Sequence, residues 1–240
     1  GTSFSNDASA TSVGSVDTAG TTSADAGFSI MTYTGVSGQQ TIAHGLGAVP
    51  KMIMVKNLDS SENWRVYHHS IGAGAYLKLN DSATKTDDTG PFSNTTPTST
   101  LITMGGDDGT MHGSEAHVAY IFAEKQGYSK IGKYVGNGNA DGTFVYTGFR
   151  PAYLLYKNVD TADEFFIHDN KRSGYNDENE YLFASIDQAE GTQNRIRFTA
   201  NGFKALNSDK GVNKNGDTYV YLAIAEAPLV NSKGVPGNAR

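Results

Sequence analysis

Cysteine is absent from this chain of 240 residues, which excludes disulfide bonds and thiolate metal sites. Basic residues are not in excess, because 19 Lys and Arg stand against 25 Asp and Glu and give a net charge of −6. Nucleic-acid-binding proteins usually carry a basic patch, so we expect no nucleic-acid partner. No apolar run approaches the roughly 18 residues that cross a bilayer, so we expect no membrane insertion.

Glycine and aromatic residues are plentiful instead, with 28 Gly, 13 Tyr and 11 Phe. Short apolar or alternating runs such as "FSIMTYT", "KMIMVKN" and "HVAYIFAE" are separated by clusters of Gly, Pro, Asn, Asp, Ser and Thr. This succession is typical of short strands joined by tight turns, and no stretch has the periodicity of an amphipathic helix. The sequence therefore predicts an all-β fold built of antiparallel, β-sandwich-like units.

The same pattern occurs twice along the chain. Matching residues keep their order, and their offset drifts only from 100 to 102 residues: Gly27 with Gly127, Gly35 with Gly136, Pro50 with Pro151, Trp64 with Phe165, and Ala123 with Ala225. Chance would not hold so many matches in register, so we predict a tandem duplication into two pseudo-symmetric repeats of about 100 residues.

The expected organisation has four parts. Residues 1–26 are almost all Ser, Thr, Ala, Gly and Asp, which predicts a flexible linker or an arm that packs on a neighbouring subunit. Residues 27–126 and 127–227 form the two repeats, and residues 228–240 form a C-terminal tail. The sequence also pairs Lys56 with Glu124 and Lys157 with Glu226, because each pair ends equivalent strands of the two repeats.

Possible catalytic and metal-binding patterns have simpler explanations. "GNGNADG" lies between two predicted strands, where Asn-Gly and Asp-Gly favour a hairpin over a phosphate loop. Residues 169–180 have the length of an EF-hand loop, but Lys171 replaces a required oxygen ligand. A calcium site of another kind stays an alternative to a polar loop anchored by Asp169 and Arg172. We find no nucleophile elbow and expect no enzyme activity, no cofactor and no metal.

Surface recognition is the remaining hypothesis. The loop "DNKRSGYNDENEY", residues 169–181, is longer and more polar than its counterpart "HSIGAGAY", residues 69–76. Tyr175 would stack on a sugar ring while neighbouring polar side chains donate and accept hydrogen bonds. The candidate ligand-binding residues are Trp64, Tyr67, Arg172, Tyr175, Asn176, Asp177 and Asn179. Two alternatives stay open: the aromatic side chains pack within the strands, or the loop packs on a neighbouring subunit.

Residues 25–240 resemble the C-terminal repeat domain of tail-fibre-type structural proteins of tailed, marine-type bacteriophages. The phrases that carry the resemblance are "DAGFSIMTYTG", "HGLGAVPKMIMVKN", "GYSKIGKYVGNGNADGTFVYTGFRPAYLLYKN" and the final "VPGNAR". The resemblance implies a non-enzymatic component of the virion, assembled in the host cytoplasm and located on a tail fibre or another surface appendage. It implies other tail proteins as partners and, by analogy with fibres, a homotrimer.

Two functions follow from the resemblance and the residues. The first is attachment to the host cell through a surface glycan. The second is a ligand-free structural role, as a spacer or as a decoration module of the tail or capsid. An exposed groove with aromatic and polar residues would favour the first function, whereas aromatic residues confined to the core would favour the second.

Overall fold

Antiparallel β-strands make up almost all the regular secondary structure, which confirms the all-β prediction. A computed structural model describes residues 1–173 and 177–228, with only the main chain described at residue 178. The chain divides into two compact units. Residues 1–79 and 85–124 form unit 1, and residues 80–84 together with the chain from Lys125 onward form unit 2. The predicted tail from residue 229 onward lies outside the described residues.

Unit 1 is a sandwich of a large sheet and a two-stranded sheet. Its elements are β1 (Thr2–Asn6), α1 (Ala8–Thr11), β2 (Thr18–Ser23), β3 (Phe28–Thr34), β4 (Gln40–Ala43), β5 (Met52–Asn57), β6 (Arg65–His68), β7 (Leu77–Lys78), β8 (Leu101–Met104) and β9 (Ala116–Phe122). The large sheet has the order β1-β2-β3-β9-β5-β6-β7, and β4 pairs with β8. Met31, Ile53 and Ile121 of the large sheet share one core with Ile42 and Ile102 of the small one.

Unit 2 contains a single eight-stranded sheet. Its strands are β10 (Ser129–Val135), β11 (Phe144–Tyr146), β12 (Pro151–Asn158), β13 (Phe166–Asp169), β14 (Glu178–Phe183), β15 (Gly191–Thr199), β16 (Gly202–Ala205) and β17 (Thr218–Ala225). Their order is β10-β17-β12-β13-β14-β15-β16-β11. Tyr134, Leu154 and Tyr219 from one end of this order share a core with Val145 and Phe203 from the other end.

Five strands follow the same order in the two units. The order β3-β9-β5-β6-β7 of unit 1 corresponds to β10-β17-β12-β13-β14 of unit 2. Matched glycines also meet matched carbonyls: a Cβ on Gly35 would stand 1.9 Å from the His112 oxygen, and a Cβ on Gly136 would stand 2.2 Å from the Lys214 oxygen. The duplication stays a prediction, and the shared order and shared contacts are the observations that favour it.

A buried asparagine closes the end of the central strand in each unit. Asn57 ends β5 and Asn158 ends β12, and both side chains are fully buried. Each side-chain oxygen accepts hydrogen bonds from two main-chain N–H groups of the following turn. Each Nδ2 donates to a main-chain carbonyl and to a carboxylate: Asp108 O at 2.8 Å and Glu115 Oε2 at 2.5 Å in unit 1, Lys210 O at 2.8 Å and Asp217 Oδ2 at 2.9 Å in unit 2.

The expectation of a flexible linker over residues 1–26 is wrong. β1 pairs with β2, and β2 pairs with β3, so these residues extend the large sheet of unit 1. Main-chain hydrogen bonds supply order that the small side chains alone could not, and Val16 adds a buried apolar contact to the core. The Asp7 side chain accepts a hydrogen bond from the Ala10 N–H and thereby caps α1.

The predicted pairs of Lys56 with Glu124 and of Lys157 with Glu226 are also wrong. β5 and β9 run antiparallel, and so do β12 and β17. The last residues of two paired strands therefore lie at opposite ends of the pair. Each glutamate instead meets a cation at the start of the neighbouring strand. Glu124 pairs with Lys51 at 3.1 Å, and Glu226 pairs with Arg150 at 3.0 Å.

The two lysines are held by main-chain carbonyls. The Lys56 ammonium donates hydrogen bonds to carbonyls of the turn that follows β5. Lys157 is fully buried and donates to the carbonyls of Ser82 and Asp163. Burial lowers the pKa of Lys157 to about 8, because desolvation penalises the charged form.

Replacing Asn158 with Ala should lower the free energy of unfolding by about 3 kcal/mol. The substitution removes all the hydrogen bonds of a buried side chain and leaves the Lys210 carbonyl and the Asp217 carboxylate short of a donor. Urea denaturation followed by fluorescence measures the change. Asn215→Ala, at an exposed position, is the control, and a loss no larger than that of the control would contradict the proposed role.

The stability that Lys157 confers should rise with pH. Between the folded pKa of about 8 and the ordinary lysine value of about 10.4, the unfolded chain binds more protons than the folded one. The free energy of unfolding, relative to Lys157→Met, should therefore increase by about 1–2 kcal/mol from pH 7 to pH 9.5. Denaturation of both proteins at the two pH values tests this, and a pH-independent difference would show that the lysine is not desolvated.

Candidate functional site

An aromatic pair stands on the outer side of β11, the last strand of the unit 2 sheet. Tyr146 is 63% exposed and Phe144 is 46% exposed, while Val145 between them is buried in the core. Side chains two residues apart on a strand point to the same face and lie about 7 Å from each other. The two rings therefore form an exposed aromatic surface. We call this surface, together with the neighbouring outer residues Lys204 of β16 and Arg197 of β15, the aromatic face.

Charged residues continue the aromatic face across the next two strands. Phe144 lies opposite Lys204 on β16, and Lys204 lies opposite Arg197 on β15. Each cation has a carboxylate partner. Lys204 forms an ion pair with Asp141, and Arg197 binds both oxygens of Asp177, at 2.5 and 3.2 Å.

These ion pairs favour the charged forms of Asp141 and Arg197. The Lys204 ammonium lowers the pKa of the Asp141 carboxyl, and the Asp177 carboxylate raises the pKa of the Arg197 guanidinium. The side chains nevertheless stay accessible: Asp141 is highly exposed and Arg197 is about half exposed. The aromatic face thus presents ammonium, guanidinium and carboxylate groups beside two rings.

Gly202 allows β16 to approach β11 closely. A Cβ at this position would stand 2.0 Å from the Val145 carbonyl oxygen and 3.2 Å from Phe144 Cε2. A side chain would therefore collide with the main chain of β11. On the other side of β11, the Thr143 hydroxyl donates to the Val135 carbonyl at 3.0 Å, which brings exposed Val135 next to the start of the strand.

The aromatic face lies within a region matched by one family model, described as a Domain of unknown function (DUF7483), over residues 3–228. The chain belongs to this family. The match begins at residue 3 and so includes β1, α1 and β2, in agreement with their place in the sheet of unit 1. No curated protein and no solved structure matches the chain.

Two of the predicted ligand-binding residues lie in unit 1 of this DUF7483 protein and are largely covered. Tyr67 is 2% exposed and packs edge-on against Phe92 in the core, so its predicted binding role is wrong. All four residues of β6 are buried, so both faces of this strand are covered, which the polar residues Arg65 and His68 in its sequence did not indicate. Trp64 is half-buried and lies 5.9 Å from the Tyr120 ring.

The predicted loop of unit 2 is held by internal ion pairs. Arg172 pairs with Asp169 at 2.8 Å, which confirms the predicted anchor, and also contacts Glu190. Asp177 is brought to the aromatic face through Arg197. Asn179 is exposed, and its main-chain N–H donates to the Ser173 hydroxyl. Tyr175 and Asn176 lie outside the described residues.

Sequence inspection missed Phe144 and Tyr146. Their signal was the alternation in "TFVYT", since a strand with one buried face must point either Val145 or the two rings outward. Apolar Val and aromatic residues are equally suited to a core, so the pattern did not decide between them. β4 of unit 1, "QTIA", pairs with β8 as β11 pairs with β16, and it has no aromatic residue.

A cleft of about 690 Å³ lies in unit 1, but its polar groups serve the fold. It is lined mainly by residues of the N-terminal segment and of β3. Asp7 and Asp17 accept hydrogen bonds from the main chain of α1. Tyr33 is buried and donates to the Thr110 carbonyl at 2.5 Å. The cleft therefore offers no exposed ring.

Histidine and acidic residues do not converge on a metal site in the part of the chain that the structure describes. His44 is buried and accepts a hydrogen bond from the Leu46 N–H at 3.4 Å. Burial lowers its pKa, which keeps the ring neutral. Within the same residues, no helix is long and apolar enough to cross a membrane.

The double variant Phe144→Thr, Tyr146→Thr should change the free energy of unfolding by less than about 1 kcal/mol. Both rings are exposed, and Thr has a high propensity for strands. Phe203→Ala, in the core beside them, should cost about 3–5 kcal/mol. Urea denaturation compares the two proteins. A double variant as unstable as Phe203→Ala would mean that the rings are structural.

Proposed function

We propose that this protein is a non-enzymatic component of a bacteriophage virion that binds a host-cell surface glycan through the aromatic face of unit 2. The bacteriophage assignment rests on the sequence resemblance, which places such domains in a tail fibre or tail tip. The binding role rests on the exposed pair Phe144 and Tyr146 beside charged side chains. Other tail proteins, and further copies of the chain in a homotrimer, are the proposed partners.

Exposed aromatic rings are the observation that carries the proposal. The apolar face of a sugar ring can cover an aromatic ring, while its hydroxyl groups need donors and acceptors close by. Tyr146 and Phe144 supply the rings, and Lys204 with Asp141 supplies a donor and an acceptor. Exposing two large rings on an otherwise polar surface is unfavourable unless something covers them.

A ligand-free structural role is the second candidate. Most aromatic residues of the chain lie in the two cores, as Tyr67 and Tyr181 do, and this distribution favours a spacer or decoration module. In that case the aromatic face would be covered by another subunit or by a neighbouring virion protein. The two candidates differ in what removes Phe144 and Tyr146 from water.

The labelled protein should bind a subset of spots on an array of bacterial surface polysaccharides. The variant with Thr at positions 144 and 146 should bind those spots at least about tenfold more weakly, because tenfold corresponds to only 1.4 kcal/mol of lost stacking. Leu58→Thr is the matched control, since Leu58 is an apolar side chain that is 55% exposed in unit 1.

Oligomeric mass, measured by light scattering for each protein, separates the two candidate functions. Weaker glycan binding with unchanged mass supports recognition. A wild-type protein that binds no spot, together with a double variant of reduced mass, would contradict glycan recognition and favour the structural role.

A further inference from the structure

We infer that the aromatic face selects neutral saccharides with vicinal hydroxyl groups, and that the Asp141–Lys204 ion pair is its specificity-determining contact. This inference rests on the proposed glycan binding and adds the chemical class of the ligand. The pair lies beside Phe144, because Lys204 is directly opposite that residue in the β11–β16 pairing.

The first argument is the pairing of charges on the face. Lys204 is bound to Asp141 and Arg197 to Asp177, so two positive and two negative groups cancel. A carboxylate on the ligand that approached either cation would also lie close to the carboxylate that already binds that cation, and the two like charges would repel each other. A neutral ligand meets no such repulsion.

The second argument is the match between an exposed ion pair and a diol. A hydroxyl group both donates and accepts a hydrogen bond. The exposed carboxylate of Asp141 can accept from one hydroxyl, while the ammonium of Lys204 donates to the adjacent one. Both charges stay compensated, and the sugar ring remains free to cover Phe144 or Tyr146.

The third argument is the charge of the whole chain. A net charge of −6 repels acidic polysaccharides at long range. Lys133, an exposed residue of β10, has no carboxylate partner among the described residues and would be the position to bind an acidic group. Lys133 and Val135 are two residues apart and therefore lie on the same face of β10. Because Lys133 is not part of the aromatic face, its contribution to ligand binding can be tested separately.

Matched probes of opposite class test the inference: neutral galactose oligosaccharides and galacturonate oligosaccharides of the same length. The wild-type protein should bind the neutral series at least about tenfold more tightly, with little dependence on salt. Asp141→Asn should weaken binding of the neutral series and strengthen binding of the acidic one, because it frees the Lys204 ammonium. Lys133→Gln should leave neutral binding unchanged.

The outcomes separate this inference from the proposed function. Tighter binding of the acidic series by the wild-type protein, lost in Lys133→Gln, would overturn the neutral class and leave glycan recognition intact. Binding of both series that does not respond to Asp141→Asn would overturn the role of the ion pair. Binding of neither series, here and on the wider array, would overturn glycan recognition itself.

Discussion

Each unit of the protein depends on one buried asparagine at the end of its central strand. Asn57 and Asn158 have no access to water, so every polar atom of these side chains must find a partner inside the protein. Each amide joins the turn after the central strand to a carboxylate before the neighbouring strand, Glu115 in unit 1 and Asp217 in unit 2. These hydrogen bonds therefore fix the ends of the strands, whereas the residues on the exposed faces of the strands can differ between the two units.

The two units differ on β11. The rings of Phe144 and Tyr146 face outward there, and a side chain at Gly202 on the neighbouring strand would collide with the main chain of β11. β4 of unit 1, "QTIA", pairs with β8 as β11 pairs with β16, and none of the aromatic residues of unit 1 is exposed. Both units keep the asparagine hydrogen bonds at their strand ends while the outer face of β11 differs from that of β4, so the proposed binding site is confined to unit 2.

Alternating apolar residues were enough to predict the all-β fold, because the period of two follows directly from strand geometry. The side chains that form ion pairs between neighbouring strands could not be predicted in the same way. The expected Lys56–Glu124 pair ignored strand direction, since antiparallel pairing separates two strand ends that the sequence presents alike. Tyr67 failed as a binding residue because both faces of β6 are buried, although the strand also contains Arg65 and His68. Residues 1–26 were expected to be flexible because side-chain composition does not show whether the main chain pairs with a neighbouring strand.

A nuclear magnetic resonance titration of the isotope-labelled protein with a neutral galactose oligosaccharide tests the central claim most directly. The account predicts that amide shifts change in β11, β16 and β15, around Phe144, Lys204 and Arg197, and that the amides of Gln40–Ala43 in unit 1 do not respond. Shift changes confined to unit 1, or to the surface of unit 2 away from β11, would contradict the claim that the aromatic face is the binding site.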